Sequence, residues 1–336
     1  MPTLEYSAIL GELEKKIYRP VYFLTGEEPY FIDEIEDYVE EHVLDDSGKE
    51  FNQTVLYGKE TDVHTVIEYA KRYPMMSNYQ VVIIREAQDM KDIKGLEAYV
   101  KAPLRSTILV MSYKYKKMDK RTGFVRAIMK NGVFFESRRI YDHKVPSWVS
   151  GEVKRRGYEI TPKASLLLSE HVGADLSRMK NEIEKALINL RSGSIIDDRV
   201  IEENIGISKD YNIFEFQKAI GSKDVLKANR IAGYFAANEK EHPVFLIIGS
   251  LNAFFMRVLK CLYLRGKRDQ KEIASILGVH SFFVREYQLA ARNYNYAKLK
   301  KIFDLLYEYD LRSKGVNNAS TTYGELLKEL VYKILH

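Results

Sequence analysis

The chain has 336 residues, 46% of them apolar, and its 52 basic and 47 acidic side chains give a net charge of +5. This composition excludes wholesale disorder and allows two or three domains of ordinary size. The mild basic excess is compatible with work near nucleic acid but does not establish it. The single cysteine, Cys261, excludes an intrachain disulfide, and the amino terminus carries no apolar signal core. We therefore expect a soluble, cytoplasmic protein.

Residues 1–143 alternate between helix-forming and strand-forming segments. A first helix is predicted over residues 4–17, and a second begins at Pro29, a residue suited to the first helical turn. Asp62 is the predicted cap of a further helix that runs to Tyr73. The predicted strands are VYFL, FNQTVLY, VVII, STILVMSY and VFFES. Short β-branched runs between helices indicate an α/β domain with a parallel sheet covered on both faces.

The pattern becomes entirely helical after Asp142. Three successive helices without an intervening strand are predicted over residues 145–190, one of them starting at Thr161 and Pro162. From Tyr211 onwards the chain is again helical, with breaks near Gly221, His242, Gly266, Gly278 and Gly315. We predict a small helical domain over 144–208 and a larger one over 209–336.

The larger helical domain contains the most membrane-like run, VFLIIGSLNAFFM, which is shorter than the ~20 residues that a membrane span needs. We therefore predict no membrane contact. Core or subunit packing explains two sets of side chains, namely Phe245, Ile248, Leu251, Phe255, Val258 and Leu262 at helical spacing, and Tyr294, Tyr296, Tyr307 and Tyr309.

A phosphate-loop layout follows the first predicted strand, but its chemistry is missing. Such a loop needs a second glycine, a lysine and a Ser or Thr, whereas the segment from Gly26 runs GEEPYFIDE. Glu27 and Glu28 suit the positive end of the helix dipole, by ~0.3–1 kcal/mol each, and would repel a triphosphate. Pro29 removes an amide donor, and Arg85-Glu86 replaces the paired acids of an ATPase. We expect no cofactor, no metal and no catalytic residue.

The run VYFLTGEEPYFIDEI resembles the N-terminal signature of the delta subunit of the bacterial DNA polymerase III clamp loader. The similarity continues in the family's order through YPMMSNYQVVIIREA, GADLSRMKNEIEKALINL, NIFEFQKAIGSKDVLKANRI, EIASILGVHSFFVREYQLAARNY and LLYEYDLRSKG. It implies an AAA+-like α/β domain without ATPase function (1–143), a small helical lid (144–208) and a helical collar (209–336).

The resemblance also implies partners and a role in DNA replication as part of the polymerase III holoenzyme. The collar would join the ATPase and delta-prime-like subunits, the delta subunit would bind and open the sliding clamp, and ATP would be hydrolysed elsewhere in the assembly. The subunit would encounter primed DNA within the complex.

An adjacent methionine pair, Met75-Met76, lies at a predicted helix-to-strand corner. Pro74 disfavours helix at Tyr73, and Ser77-Asn78 provides a turn before the next strand. From the residues alone, one methionine packs inward and the other covers the helix end. The resemblance implies instead that this corner presents both side chains to a pocket on the clamp, with Met in place of the family's usual aromatic residue.

Other interpretations stay open at this stage. QKEIASILGVHSFFVREYQL, with Ala274 and Gly278, fits a helix-turn-helix DNA reader, and the loop at Gly26 fits a degenerate P-loop ATPase. A basic run, followed by Arg138-Arg139, is either a solvated charged surface or a contact to the DNA backbone. That run comprises Lys114, Lys116, Lys117, Lys120 and Arg121.

Overall fold

The computed structural model describes residues 4–188, 190–191, 193–208, 210–264, 269–318 and 320–336. The chain divides into two compact units, Met1–Ile140 and Tyr141–His336. The helix break predicted near Gly266, and residue 209 at the start of the predicted third domain, lie outside the described residues.

A parallel five-stranded sheet with the order β2-β3-β4-β1-β5 forms the centre of the first unit. Its strands are β1 (Val21–Gly26), β2 (Gln53–Tyr57), β3 (Gln80–Arg85), β4 (Thr107–Lys114) and β5 (Val133–Ser137). The predicted parallel sheet is confirmed. Because parallel strands need crossover connections, helices come to lie on the faces of the sheet.

Helices bury both faces of this sheet, as the apolar strands predict. They are α1 (Tyr6–Glu14), α2 (Pro29–His42), α3 (Asp46–Asn52), α4 (Val63–Ala70), α5 (Glu97–Lys101) and α6 (Gly123–Asn131). Successive strand residues point to opposite faces. Tyr22 and Leu24 accordingly pack with residues of α1 and α2, whereas Val21 and Phe23 pack with residues of α4, α5 and α6.

The second strand and the helix after it differ from the prediction at their ends. Phe51 and Asn52, predicted to begin a strand, form the last turn of α3. This short helix is started by Asp45, whose Oδ1 accepts a hydrogen bond from the Gly48 N–H at 2.7 Å. The predicted Asp62 cap of α4 is confirmed, but that helix ends at Ala70 rather than Tyr73.

The second unit begins with helices and one short bridge. Its first elements are α7 (Val145–Arg155), β6 (Glu159–Ile160), α8 (Pro162–Val172), α9 (Leu176–Leu187), β7 (Ile195–Ile196) and α10 (Asp198–Ile205). Thr161 caps α8 as predicted. The prediction of no intervening strand is wrong, because β6 pairs in parallel with β7. Strands of two residues are too short to produce a hydrophobic period.

Among the described residues from 210 onwards, seven further helices share one apolar core. They are α11 (Ile213–Ser222), α12 (Val225–Ala237), α13 (Val244–Tyr263), α14 (Gln270–Leu277), α15 (Val284–Asn293), α16 (Tyr296–Ser313) and α17 (Tyr323–Leu335). Glu215, near the start of α11, is 8% exposed. Its carboxylate bonds Lys163 of α8 at 3.1 Å and also Lys227 of α12. The ion pairs thus connect the two helical segments of this unit.

Helix α13 is longer than the apolar run that predicted it. It spans 20 residues and is long and apolar enough to cross a membrane by length and composition. The prediction that this segment is too short is therefore wrong, since the helix continues beyond Met256 to Tyr263. Its buried face, which includes Leu251, Phe255 and Val258, belongs to the core of the second unit. These contacts are those of a core helix.

Candidate functional site

Two backbone amides at the end of β1 donate to carbonyl groups at, or just beyond, the ends of β5 and β4. The Gly26 N–H donates to the carbonyl oxygen of Lys116 at 3.2 Å, and the Glu27 N–H donates to that of Ser137 at 3.3 Å. Gly26 has a φ of +132°, and a Cβ there would lie 2.1 Å from the Ser137 oxygen. Glycine is needed here for a close strand contact. Its amide does not point at an open anion site.

The acidic residues that follow Gly26 also have partners within the protein. Glu28 is 7% exposed, and its Oε1 accepts a hydrogen bond from the Tyr30 N–H at 3.3 Å, which caps α2. Pro29 is the first residue of α2 and has no N–H to offer. Glu27 is paired with Lys117 at 2.8 Å, a hydrogen bond that lowers the pKa of the carboxyl group. The helix N-terminus is thus occupied by fixed carboxylates.

Acidic side chains of α2 also pair with cations at the ends of two strands. The Lys114 ammonium lies 2.8 Å from Asp33 and 3.1 Å from Glu86. Burial alone would lower the pKa of Lys114, but the hydrogen bonds to these carboxylates outweigh it and raise the pKa. Arg85 bonds Glu36 at 2.7 Å and Glu40 at 2.5 Å. Both strand-end cations are therefore neutralised within the unit.

One acidic group could in principle hold a cation. Oxygen atoms of Glu36, Asp37 and Glu40 lie within 4.8 Å of one another. Burial and the nearby Glu36 charge raise the pKa of Asp37 to about 6. Arg85 already bonds two of these three carboxylates, so the group has a counter-ion of its own.

The methionine pair forms an exposed corner between α4 and β3. Met75 is 63% exposed and Met76 is 106% exposed, so the interpretation that one of them packs inward is wrong for this conformation. Met76 has a φ of +54°, in the left-handed region that non-glycine residues rarely adopt. The Met75 N–H donates to Oδ1 of Asn52 at 2.6 Å, and Nδ2 of Asn52 donates to the Met75 carbonyl at 2.9 Å.

Two exposed aromatic side chains belong to residues next to this corner, one close to the methionines in the chain and one beside Asn52. Tyr73 is 80% exposed and Phe51 is 67% exposed. Phe51 precedes Asn52, the residue that holds the Met75 backbone, and Tyr73 lies two positions before Met75 in the chain. We refer to Phe51, Tyr73, Met75 and Met76 as the apolar corner. Sequence reasoning identified the methionines but missed Phe51 and Asn52, because both were assigned to a strand.

Most of the predicted DNA-facing basic residues have acidic partners. Besides Lys114 and Lys117, Lys120 pairs with Glu136, and Arg121 pairs with Asp119 at 2.9 Å. Lys116 has an exposed side chain, while its carbonyl oxygen accepts the hydrogen bond from the loop glycine. These pairs reduce the positive charge that the run offers to a phosphate backbone.

The helix-turn-helix segment is integrated into the second unit. Gly278 ends α14 in the left-handed conformation, and the second helix begins at Val284 after a 3-10 turn that includes the exposed Phe282. The buried face of α15 comprises Val284, Tyr287, Ala290 and Ala291. An exposed phenylalanine at the start of the second helix is poorly suited to contact with base edges.

The C-terminal aromatic residues separate into core and surface. Tyr294 and Tyr309 are buried, whereas Tyr296 and Tyr307 are exposed. The Tyr294 hydroxyl donates to the Ile220 carbonyl at 2.7 Å, and burial raises its pKa. Phe245 is also exposed, although the residues at helical spacing after it are buried or partly buried. The surface of this helical region therefore offers aromatic contacts in addition to those used in its own core.

Comparison with known proteins identifies the family to which this chain is related. The sequence model of the DNA polymerase III delta subunit matches residues 22–138, and the model of that family's C-terminal domain matches residues 210–328. The chain is 26% identical over 314 residues to DNA polymerase III subunit delta of Bacillus subtilis, covering 90% of each chain.

A solved structure shares the fold. The Bacillus subtilis DNA clamp loader delta protein is 23% identical, with a TM-score of 0.54, and the match covers 98% of this chain and 99% of that one. Two delta-subunit sequence models in the expected order, together with this fold, identify the family. The chain belongs to the delta subunits of DNA polymerase III, which are clamp-loader components of DNA replication.

Proposed function

We propose that this subunit binds the sliding clamp through the Met75–Met76 corner and opens it, without hydrolysing ATP itself. The observation that carries the proposal is the exposure of both methionines, 63% and 106%, on a backbone held by a buried asparagine. Flexible, unbranched thioether side chains fit an apolar pocket well. An exposed adjacent pair of this kind is suited to anchoring a protein partner.

The energetics require a contact surface larger than the two methionines. Fully burying both side chains contributes about 3–6 kcal/mol, whereas association alone costs ~4–15 kcal/mol. Tyr73 and Phe51 provide further apolar area at the same corner. Opening then follows from differential binding, because a surface that fits the opened clamp better shifts the clamp towards that state.

Several features support a role without nucleotide. The amides of Gly26 and Glu27 donate to the carbonyl oxygens of Lys116 and Ser137, and acidic groups occupy the start of α2. We expect 1 mM Mg-ATP to leave the melting temperature of the purified subunit unchanged, because a ligand stabilises only when it binds the folded state. An ATPase subunit of the same loader serves as the positive control, and a reproducible rise for the delta subunit would contradict the proposal.

The remaining assignments concern the rest of the assembly. Within the second unit, we assign residues 144–208 to a lid and residues 209–336 to a collar that joins the ATPase and delta-prime-like subunits. Exposed aromatic side chains such as Phe245, Tyr296 and Tyr307 support a protein-binding role for the collar. Primed DNA is met within the assembled loader, and the subunit works in the cytoplasm.

The decisive experiment mixes the full-length subunit with the sliding clamp of the same organism in the absence of nucleotide. We expect co-elution in size-exclusion chromatography. Fluorophores placed across one clamp interface should also report a lower transfer efficiency when the subunit is added. Separate elution at micromolar concentrations would overturn clamp binding, and an unchanged transfer efficiency in a formed complex would overturn opening.

A further inference from the structure

A buried asparagine holds the backbone of the methionine corner. Asn52 has no exposed surface, and its amide makes hydrogen bonds in both directions with the peptide groups of Met75, at 2.6 and 2.9 Å. The same Nδ2 donates to the Gly48 carbonyl at 3.1 Å. The side chain therefore ties the end of α3 to the corner 23 residues later in the chain.

These bonds act next to a backbone conformation that needs support. Met76 follows Met75 directly and has a φ of +54°. A non-glycine residue persists in this region only where the surrounding structure holds it. The two hydrogen bonds with Asn52 fix the peptide groups of Met75, the residue directly before the left-handed Met76.

The same helix end supplies an apolar side chain. Adjacent residues of a helix project about 100° apart, so Asn52 can point inward while Phe51, 67% exposed, projects to solvent. Phe51 therefore belongs to α3, the helix whose Asn52 is hydrogen-bonded to Met75.

We propose that Asn52 is the positioning residue of the clamp-binding corner, and that Phe51 is an additional contact of the same surface. This inference rests on the proposed function. By holding Met75 and Met76 in one conformation before contact, Asn52 removes part of the ordering cost of binding. Phe51 enlarges the apolar area that the clamp covers.

Four variants of the full-length protein test the assignment of Asn52. Asn52→Ala removes all three hydrogen bonds, whereas Asn52→Asp keeps an acceptor for the Met75 N–H and loses both donated bonds. We expect each to weaken clamp binding by about tenfold or more. In a Met75→Ala/Met76→Ala background, Asn52→Ala should have no further effect, because coupled residues are not additive.

Two measurements separate positioning from general stability. Hydrogen exchange at the Met75 amide should accelerate in Asn52→Ala, which removes its acceptor, while exchange in β1 and β4 stays at the wild-type rate. An equal loss of affinity from Asn52→Ala in both backgrounds would indicate a structural role only and overturn the inference. If Asn52→Ala does not fold, Asn52→Asp supplies the same comparison.

Phe51 is tested against a matched phenylalanine. Phe51→Ala should weaken clamp binding by about tenfold, and Phe282→Ala, at a 61% exposed position in the second unit, should leave it unchanged. Equal behaviour of the two variants would remove Phe51 from the surface. If the wild-type protein forms no clamp complex, the proposed function fails. If it binds and the methionines matter but Asn52 does not, only this inference fails.

Discussion

Replacing both methionines of the apolar corner with serine tests the proposed clamp contact most directly. Met75 is 63% exposed and Met76 is fully exposed, so the substitutions remove little buried area from the subunit itself. Surface changes of this kind alter the free energy of unfolding by about 0.5 kcal/mol or less. The double variant should therefore fold normally, and its affinity for the clamp reports on the contact.

The size of the effect follows from the area still available for burial. A fully buried methionine contributes ~1.5–3 kcal/mol. Met75 can contribute about two thirds of this free energy, because about two thirds of its surface is still exposed, and Met76 can contribute all of it. The pair together gives ~2.5–5 kcal/mol. At ~1.4 kcal/mol for each factor of ten, the dissociation constant should rise roughly 50- to 5,000-fold.

The dissociation constant is measured by surface plasmon resonance with immobilised clamp or by isothermal titration calorimetry with free clamp. Met256→Ser, which changes a 43% exposed methionine in the second unit, is the matched control and should bind like the wild type. A change of less than about threefold in Met75→Ser/Met76→Ser would refute the reasoning, because it would show that neither side chain is buried on binding.

Three further changes test the energetics of the fold. Gly26→Ala should lower the free energy of unfolding by about 3 kcal/mol in urea titrations, because the new Cβ would lie 2.1 Å from the Ser137 carbonyl oxygen; a loss below ~1 kcal/mol would contradict the close contact. Burial and neighbouring acids raise the pKa of Asp37 to about 6, so its ionised form destabilises the folded state as the pH rises through that value. Asp37→Asn should therefore gain about 1 kcal/mol at pH 7.5, after allowance for solvent screening, and lose this advantage near pH 4. Burial alone would raise the pKa of Glu215, but hydrogen bonds from two lysines outweigh it and lower the pKa. Glu215→Gln should cost about 1–2 kcal/mol at pH 7, with the difference shrinking as the pH falls through 4, and a pH-independent difference would argue against the ion pairs.

The central sheet and several helix starts could be predicted because their signals are local. Runs such as VVII contain only apolar β-branched residues, which suit a strand buried on both faces. Asp62 and Thr161 indicate the starts of their helices, because a side-chain oxygen at the cap position accepts a hydrogen bond from a backbone N–H two or three residues later. The bridge between β6 and β7 could not be predicted, since two residues per strand establish no period.

The apolar corner was predictable only in part, for reasons of chain distance and conformation. Pro74 and the following turn residues indicated that the helix ends before the methionines. Asn52 acts across 23 positions, and no local pattern links it to Met75. Phe51 and Asn52 also sit in a short helix whose sequence suited an extension of β2. The left-handed conformation of Met76 could not be predicted, because the position lacks the glycine that usually indicates this conformation.

The hydrogen bonds around Gly26 limit what substitutions in the following loop can achieve. Installing a lysine and a serine in the loop would leave its backbone donors engaged by the carbonyls of Lys116 and Ser137. Glu28 would still cap the helix, and Lys114 would still be held by two acids. A phosphate-binding loop at this position would demand coordinated substitutions in at least three separated segments. A single substitution in this loop would therefore not free its backbone donors for a phosphate group.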